Sequence, residues 1–290
     1  MKSRFAASIA ALAFVVAGCS SAAARPVPSP TATIAPAIAP ASLAPATGAP
    51  ATTAPASLTI YGAASLKSVL AKVKIEYEAA NQGTTLTIST DSSSALETKI
   101  EQGAPVDVFL SADTANPQKL VDKSLAAGSL TKFAGNLLTV IVPTGNPAGI
   151  QTPADLAKSG IKVIAAGDTV PITKYTTQLV ANLAKQPGYP ADYVAKYAAN
   201  IVSKQDNVAA VVSQIELGEG DAGIVYVTDA KTSTKVTTIS VPAAANVPAT
   251  YAGVVVKASA NVSAAQAFLT WFAGPDGQAI LASFGFLPAP

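Results

Sequence analysis

Apolar positions in residues 58–290 follow two periods that alternate along the chain. Leu58 to Tyr61 is a short apolar run typical of a strand, and Leu66, Val69, Leu70 and Val73 then recur at helical spacing. Similar strand-like runs predict strands at residues 84–90, 106–110, 137–142, 161–166, 223–227, 236–241 and 251–256. Helical patterns separate most of these runs. This alternation predicts an α/β fold with mainly parallel sheets and helices on both faces.

Four turns that precede predicted helices are candidates for a binding site. In open α/β sheets, ligands bind beyond the carboxyl ends of the strands, where such turns lie. Each turn offers backbone N–H groups at a helix start, which together with the helix dipole suit an anion. The turns are Ala63-Ala64-Ser65, Ser92-Ser93-Ser94-Ala95, Val170-Pro171-Ile172 and Asp206-Asn207-Val208. Tyr226, in the predicted strand 223–227, adds a phenolic hydroxyl.

Each of these residues also has a simpler interpretation. Ser65 and Ser93 stand where serines commonly cap helices. Tyr226 could fill an interface as a packed aromatic residue. Asp91 and Asp206 could compensate the dipoles of the helices that they precede.

The composition excludes several classes of function. The net charge is +2 and 12% of the residues are charged, without a basic patch that would indicate nucleic acid. The chain contains no His, and its arginines, Arg4 and Arg25, precede the predicted fold. The folded part therefore offers no imidazole base and no guanidinium clamp for phosphate. A Ser–Lys hydrolase, with Lys67 or Lys99 as the base, is the enzymatic alternative that remains.

The first 57 residues predict export and a membrane anchor. Residues 1–19 combine Lys2 and Arg4 with an apolar run too short to span a bilayer, as in a secretory signal peptide. Cys19, the only cysteine, follows small residues as in the lipobox of bacterial lipoproteins, which predicts its lipidation. Residues 20–57 are rich in Ala, Pro, Ser and Thr and predict an extended tether.

The donor groups predict the kind of ligand. Neutral N–H and O–H donors suit a small anion that carries only acceptors, such as a fully deprotonated tetrahedral oxyanion. An oxyanion that keeps a proton, such as phosphate near neutral pH, also needs an acceptor in the site. No Asp or Glu stands within the two serine turns to provide one.

A set of motifs in order along the body resembles one known family. They are Ala63-Ala64-Ser65-Leu66, Ser92-Ser93-Ser94 with Leu96, Gly103 to Asp113, Gly223 to Ala230, Gly274-Pro275 and Phe284-Gly285-Phe286. Together they resemble the molybdate-binding protein of bacterial ABC importers. One departure is Thr173, where the family often has Gly.

The resemblance implies a fold, a ligand and a set of contacts. It implies the type II periplasmic-binding-protein fold, with lobe 1 formed by residues 58–136 and 246–290, lobe 2 by residues 137–245, and the ligand in the cleft. It implies hydrogen bonds to molybdate or tungstate, without direct protein ligands to the metal and without a cofactor. The implied ligand-binding residues are Ser65, Ser93, Ile172, Val208 and Tyr226.

The resemblance also implies partners. A monomer held outside the cytoplasm by the lipid on Cys19 would deliver the ion to a membrane-embedded ABC permease. No nucleic-acid partner and no enzymatic activity are expected. A binding protein for sulfate or phosphate is the alternative, and exclusion of sulfate would depend on the size of the cavity.

Overall fold

Two five-stranded sheets organise residues 55–290, which are the residues described by this computed structural model. The predicted signal peptide, Cys19 and most of the predicted tether lie outside the described residues. In the first sheet the strand order is β2-β1-β3-β10-β4, and in the second it is β7-β6-β8-β5-β9. Helices cover both sheets, and the sheet with its helices forms a lobe in each case.

The first lobe contains the beginning and the end of the described chain. Its strands are β1 (Ser57–Ala63), β2 (Thr85–Asp91), β3 (Val108–Ser111), β4 (Thr131–Asn136) and β10 (Ala249–Val255). Its helices are α1 (Lys67–Ala80), α2 (Ser93–Glu101), α3 (Ala115–Asp122), α8 (Val262–Ala273) and α9 (Pro275–Ser283). The helical spacing of apolar residues in α1 predicts one buried face, and Val69, Leu70 and Val73 are all buried. Full burial of such a side chain contributes about 1.5–3 kcal/mol.

The second lobe contains the middle of the chain. Its strands are β5 (Leu138–Pro143), β6 (Val163–Ala166), β7 (Ile201–Gln205), β8 (Ala222–Tyr226) and β9 (Val236–Ile239). Its helices are α4 (Pro171–Leu183), α5 (Tyr193–Ala199), α6 (Val208–Glu216) and α7 (Val227–Lys231). Every residue of β8, and all of β5 except Pro143, is buried, as expected for strands covered on both faces.

The strand pairings correct one prediction. Four pairings are parallel and four are antiparallel, so the sheets are evenly mixed and not mainly parallel. The antiparallel pairings all involve β5 or β10, the strands with which the chain enters the second sheet and returns to the first. Each of them runs against both of its neighbours.

Asn246 ties the two crossovers between the sheets together. Only Leu137 separates β4 from β5, and residues 240–248 lead from β9 back to β10. The Asn246 side chain accepts from Leu138 N at 3.1 Å and donates to Leu138 O at 2.8 Å. These two connections, joined in this way, are where a hinge between the lobes would lie.

Candidate anion-binding site

The five predicted site residues lie around one small cavity between the lobes. Its volume is about 10 Å³, comparable to the space that one water-sized sphere occupies. The lining contains Ser65, Ser93, Ile172, Val208 and Tyr226, together with Ala63, Ala64, Ser92, Ala112, Val170, Pro171 and Asn207. None of these residues is charged. The cavity lies at the carboxyl ends of the strands, as the α/β pattern predicts.

Ser65 reaches the cavity from the 3-10 turn Ala64–Leu66, which connects β1 to α1. The prediction that it caps the helix is wrong, because Ala63 precedes the turn and Leu66 precedes α1, neither with a side-chain cap. The Ser65 hydroxyl is instead hydrogen-bonded to the Tyr251 hydroxyl at 2.9 Å. A tertiary contact with β10, and not helix capping, therefore occupies this side chain.

Ser93 is the first residue of α2 and is almost completely buried. Its Oγ accepts a hydrogen bond from the backbone N–H of Ala112 at 3.1 Å. Ser92 is the N-cap residue, and it makes no side-chain capping bond. Because Ser93 bonds the end of a neighbouring strand, the alternative that it only caps its own helix is wrong.

Ile172 and Val208 line the cavity from the first turns of α4 and α6. The first N–H groups of a helix have no acceptor within it. Pro171 begins α4 and Asn207 precedes α6, with the Asn207 Oδ1 accepting from Ala210 N at 3.0 Å. Thr173, the departure from the family pattern, donates its hydroxyl to Gly167 O at 2.7 Å and so holds the start of α4 against the end of β6.

Tyr226 ends β8 and lines the cavity. The side chain is 1% exposed, and its oxygen has no hydrogen-bond partner among the described residues. Burial, followed by the neighbouring Tyr251, Tyr175 and Asp229, raises the pKa of Tyr226 well above its usual value. The hydroxyl therefore keeps its proton and is available as a donor. An orphaned buried donor is rare in folded proteins and often marks a binding function.

The charged residues next to the predicted turns, Asp91, Lys174 and Asp206, do not line the cavity. Burial alone would raise the pKa of Asp91, but hydrogen bonds from Ser92 N, Lys99 and Asn207 hold it below its usual value. Asp91 thus bonds across the cleft to Asn207 Nδ2, at 3.2 Å, besides lying next to a helix start. Lys174 is exposed and does not line the cavity.

Sequence reasoning missed the residues that hold the predicted donors. Tyr251 was expected only as a strand residue, and Ala112 only as part of a motif. Both are far from their serine partners in the sequence, so only a motif shared by relatives could have indicated them. Within residues 55–290, no cluster of three or more His, Cys, Asp or Glu residues could hold a metal ion. The described helices include none that is long and apolar enough to cross a membrane.

Two α/β lobes that enclose a cleft lined with donors define the class of periplasmic solute-binding proteins, which confirms the predicted class of fold. The chain belongs to the bacterial extracellular solute-binding protein family, whose model matches residues 58–287. It is 33% identical over 231 residues to the molybdate-binding protein ModA of Mycobacterium tuberculosis, with 79% of this chain and 84% of the relative covered. It is 30% identical to the putative ABC transporter substrate-binding lipoprotein YvgL of Bacillus subtilis, with 79% and 86% covered.

Solved structures agree with this assignment. The periplasmic molybdate-binding protein of Azotobacter vinelandii matches with a TM-score of 0.68 and 25% identity, covering 80% of this chain and all of that one. The sulfate-binding protein SubI of M. tuberculosis matches with a TM-score of 0.71 but 21% identity, covering 80% and 87%, which shows the shared fold alone. The resemblance seen in the sequence motifs is thus confirmed over most of the chain.

Proposed function

We propose that this protein captures molybdate, and tungstate in the same way, and delivers the ion to an ABC permease. The observation that carries the proposal is the Tyr226 hydroxyl, which is buried without a partner among the described residues and belongs to a residue that lines a cavity without charged groups. Ser65, Ser93 and Tyr226 would donate hydroxyls, and Ile172 and Val208 would donate backbone N–H groups. The relatives named for molybdate binding support the choice of ion.

The energy of binding would come from hydrogen bonds to a charged acceptor, each worth about 1.5–3 kcal/mol. These bonds form in a site that water leaves when the lobes close, which strengthens them. Closure about the hinge at Asn246 would bury the ion. The lobe boundaries that go with this motion are 58–136, 137–245 and 246–290.

Several further properties belong to the same proposal. The protein is a monomer held outside the cytoplasm by a lipid on Cys19 after removal of the signal peptide. It is a transport component without enzymatic activity. The kinship with a lipoprotein of B. subtilis supports the anchor. The lysines suggested for a Ser–Lys enzyme do not favour one, because Lys67 is exposed and Lys99 is paired with Asp91.

Sulfate is the second candidate ligand, because it is also a dianion that carries only acceptors. Calorimetry of the purified protein with molybdate, tungstate, sulfate and phosphate decides between them. We expect heat of binding with molybdate and tungstate and none with phosphate. Heat with sulfate or phosphate but none with molybdate would overturn the proposal.

The serine hydroxyls give a direct test of the proposed site. Ser65→Ala and Ser93→Ala should each weaken molybdate binding about 10- to 100-fold, since each removes a hydrogen bond to a charged acceptor. Ser213→Ala, on the exposed side of α6, is the matched control and should bind like the wild type. Unchanged affinity in both site variants would mean that the ion binds elsewhere.

A further inference from the structure

The Ser65 hydroxyl belongs to a buried chain of hydrogen bonds that runs back to the hinge. Ser65 Oγ contacts Tyr251 Oη at 2.9 Å, and Tyr251 Oη contacts Asn136 Nδ2 at 3.4 Å. Asn136 Nδ2 also donates to Thr228 Oγ1 at 2.8 Å. Asn136 ends β4, immediately before the chain enters the second lobe, and Tyr251 lies in the returning strand β10. Asn136 and Tyr251 are both at most 1% exposed.

The donor and the acceptor in each of these hydrogen bonds can be assigned by starting from Asn136. The Asn136 Oδ1 accepts from Leu137 N at 2.9 Å, so the other amide atom, which faces Tyr251, must be the Nδ2 donor. An amide nitrogen has no acceptor capacity. The Tyr251 oxygen therefore accepts from Asn136. Ser65 Oγ is its other partner among the described residues and can accept, so the buried Tyr251 proton goes to Ser65 Oγ. Ser65 Oγ then accepts the Tyr251 proton, and its own proton remains for the cavity.

We propose that Tyr251, oriented by Asn136, is a positioning residue that forces Ser65 to act as a donor to the bound anion. The inference rests on the proposed function. It assigns a role to two residues that do not line the cavity. It also predicts a selectivity. Because Tyr251 occupies one lone pair of Ser65 Oγ, this hydroxyl is a poorer acceptor for a hydrogen-bearing oxyanion than a serine whose direction is free.

The second serine shows the same arrangement with a different partner. Ser93 Oγ accepts from the backbone N–H of Ala112, so its proton too is left for the cavity. The Tyr226 hydroxyl has no partner, and its burial keeps it protonated. Tyr251 thus completes a set of three hydroxyls that present protons to one point. Of the three, only Ser65 depends on another side chain for its direction.

A double-mutant cycle with Ser65 tests whether Tyr251 acts through it. Tyr251→Phe keeps the ring, which packs against Phe133, Tyr226 and Phe286, and leaves Asn136 bonded to Thr228. We expect Tyr251→Phe to weaken molybdate binding about tenfold in calorimetry, in line with the loss of one oriented hydrogen bond. In a Ser65→Ala background the same change should have no effect, because the residue through which it acts is gone.

Tyr193→Phe is the matched control for the loss of a buried tyrosine hydroxyl. Tyr193 is also completely buried and donates to Pro153 O at 2.7 Å, in the second lobe and away from the cavity lining. Its removal should leave molybdate affinity unchanged. Phosphate gives a second readout. Tyr251→Phe should show heat of binding with phosphate, which neither the wild-type protein nor Tyr193→Phe should show.

The outcomes separate this inference from the proposed function. If the wild-type protein binds molybdate but Tyr251→Phe binds it equally well, or if the losses from Ser65→Ala and Tyr251→Phe add, the positioning role is overturned and the binding function stands. A loss of similar size in Tyr193→Phe also overturns it. If the wild-type protein binds no molybdate, the proposed function falls and this inference falls with it.

A second variant covers the case in which Tyr251→Phe does not fold. Asn136→Asp keeps the acceptor for Leu137 N–H but replaces the donor facing Tyr251 with an acceptor. The Tyr251 hydroxyl would then donate to residue 136 and no longer to Ser65. We expect its loss of molybdate affinity to be smaller in a Ser65→Ala background than in the wild-type background. Because the added charge is present in both backgrounds, its effect cancels in the cycle. Equal losses in the two backgrounds overturn the proposal.

Discussion

At the scale of single residues, the cavity is distinguished by hydroxyls of two kinds: two whose oxygens are engaged by a neighbour, and one that has no partner among the described residues. Ser65 and Ser93 each have an oxygen engaged by a neighbour, and Tyr226 has no partner at all. A folded protein normally avoids an unpaired buried hydroxyl, because its desolvation costs about 1–3 kcal/mol. Tyr226 therefore carries a cost in the unliganded protein that ligand binding would remove.

Tyr226→Phe should stabilise the unliganded protein while weakening anion binding. Removal of an unpaired buried hydroxyl should raise the free energy of unfolding by up to about 1 kcal/mol, while molybdate affinity falls about 10- to 100-fold. Denaturant unfolding and calorimetry measure the two effects. Tyr193→Phe is the control, and its free energy of unfolding should change in the opposite direction. The Tyr193 hydroxyl donates to Pro153 O, so its loss should destabilise the protein. Destabilisation by both variants would contradict the prediction.

Asp229, whose carboxylate is hydrogen-bonded to the backbone of Tyr226, should make the free energy of unfolding depend on pH. Burial raises the pKa of Asp229 from 3.8 to about 7, although its carboxylate accepts from Tyr226 N at 3.2 Å. Because the folded state holds this proton more tightly than the unfolded state, the contribution to stability is full below pH 3.8 and is lost as the pH rises through about 7.

Asp229→Asn should flatten this dependence, since it keeps an acceptor for Tyr226 N–H without the charge. In thermal unfolding, the variant should be more stable than the wild type at pH 8, by up to a few kcal/mol in the free energy of unfolding. The difference should be much smaller at pH 5. This magnitude follows because one pKa unit corresponds to about 1.4 kcal/mol. Asp122→Asn, on the exposed side of α3, is the control. If the free energy of unfolding changed with pH in the same way in the wild type and in Asp229→Asn, Asp229 would not be the cause of the pH dependence.

At the scale of elements, the junction of α8 and α9 depends on a glycine for close packing. A Cβ atom on Gly277 would overlap the backbone oxygen and carbon of Phe272. Gly277 lies in the first turn of α9, and Phe272 is near the end of α8. The two helices can turn sharply at Gly274-Pro275 because no side chain separates them at this point.

Gly277→Ala should therefore destabilise the protein, against the usual trend. Gly to Ala within a helix ordinarily gains about 1 kcal/mol. Here we expect a loss of about 1–3 kcal/mol, because the backbone of α8 must move. Gly167→Ala is the control, since its Cβ would meet Gln205 O only at 3.5 Å. A stabilised Gly277→Ala variant in denaturant unfolding would be incompatible with this packing.

Two elements that the sequence pattern did not predict lie at sheet edges. The strand β4 contains Lys132 and Gly135, and β7 contains Lys204 and Gln205. An edge strand with an exposed face needs no continuous apolar run, so its pattern resembles that of a loop. The interior strands, which are buried on both faces, were predicted to within about two residues.

At the scale of the whole molecule, a hydrogen bond joins the lobes at the mouth of the cleft. The Asn207 amide, from the second lobe, donates to Asp91 Oδ1 in the first lobe at 3.2 Å. The same Asn207 caps α6 through its other amide atom. Asn207 therefore contributes both to the cap of α6, a helix that lines the site, and to a hydrogen bond between the lobes.

Asn207→Asp should push the lobes apart. Aspartate can still cap α6, but it places a second carboxylate opposite Asp91, and like charges repel. We expect a larger radius of gyration in X-ray scattering and molybdate affinity weakened about tenfold, with partial recovery at high salt. Asn207→Ser retains a capping oxygen without the charge and should show a smaller effect. Equal behaviour of the two variants would exclude repulsion as the cause.

Most of the elements, and the identity of the candidate donors, could be obtained from the amino-acid sequence alone. Hydrophobic period, turn residues and helix starts are local properties, so they predicted the α/β alternation and the turns that contain Ser65, Ser93, Ile172 and Val208. The absence of His from the chain, and of Arg from the predicted fold, excluded an imidazole base and a guanidinium clamp. The roles of the candidate donors in binding stay a prediction.

What each donor does with its proton was decided only in the folded molecule. Ser65 looks like a helix cap in the sequence, yet its partner, Tyr251, is 186 residues away. The bond between Asp91 and Asn207 spans 116 residues. Local patterns report the conformation that a segment prefers, whereas a hydroxyl's direction depends on which acceptor or donor the fold brings next to it. The same serine therefore changes from a cap to an oriented donor when β10 returns to the first sheet.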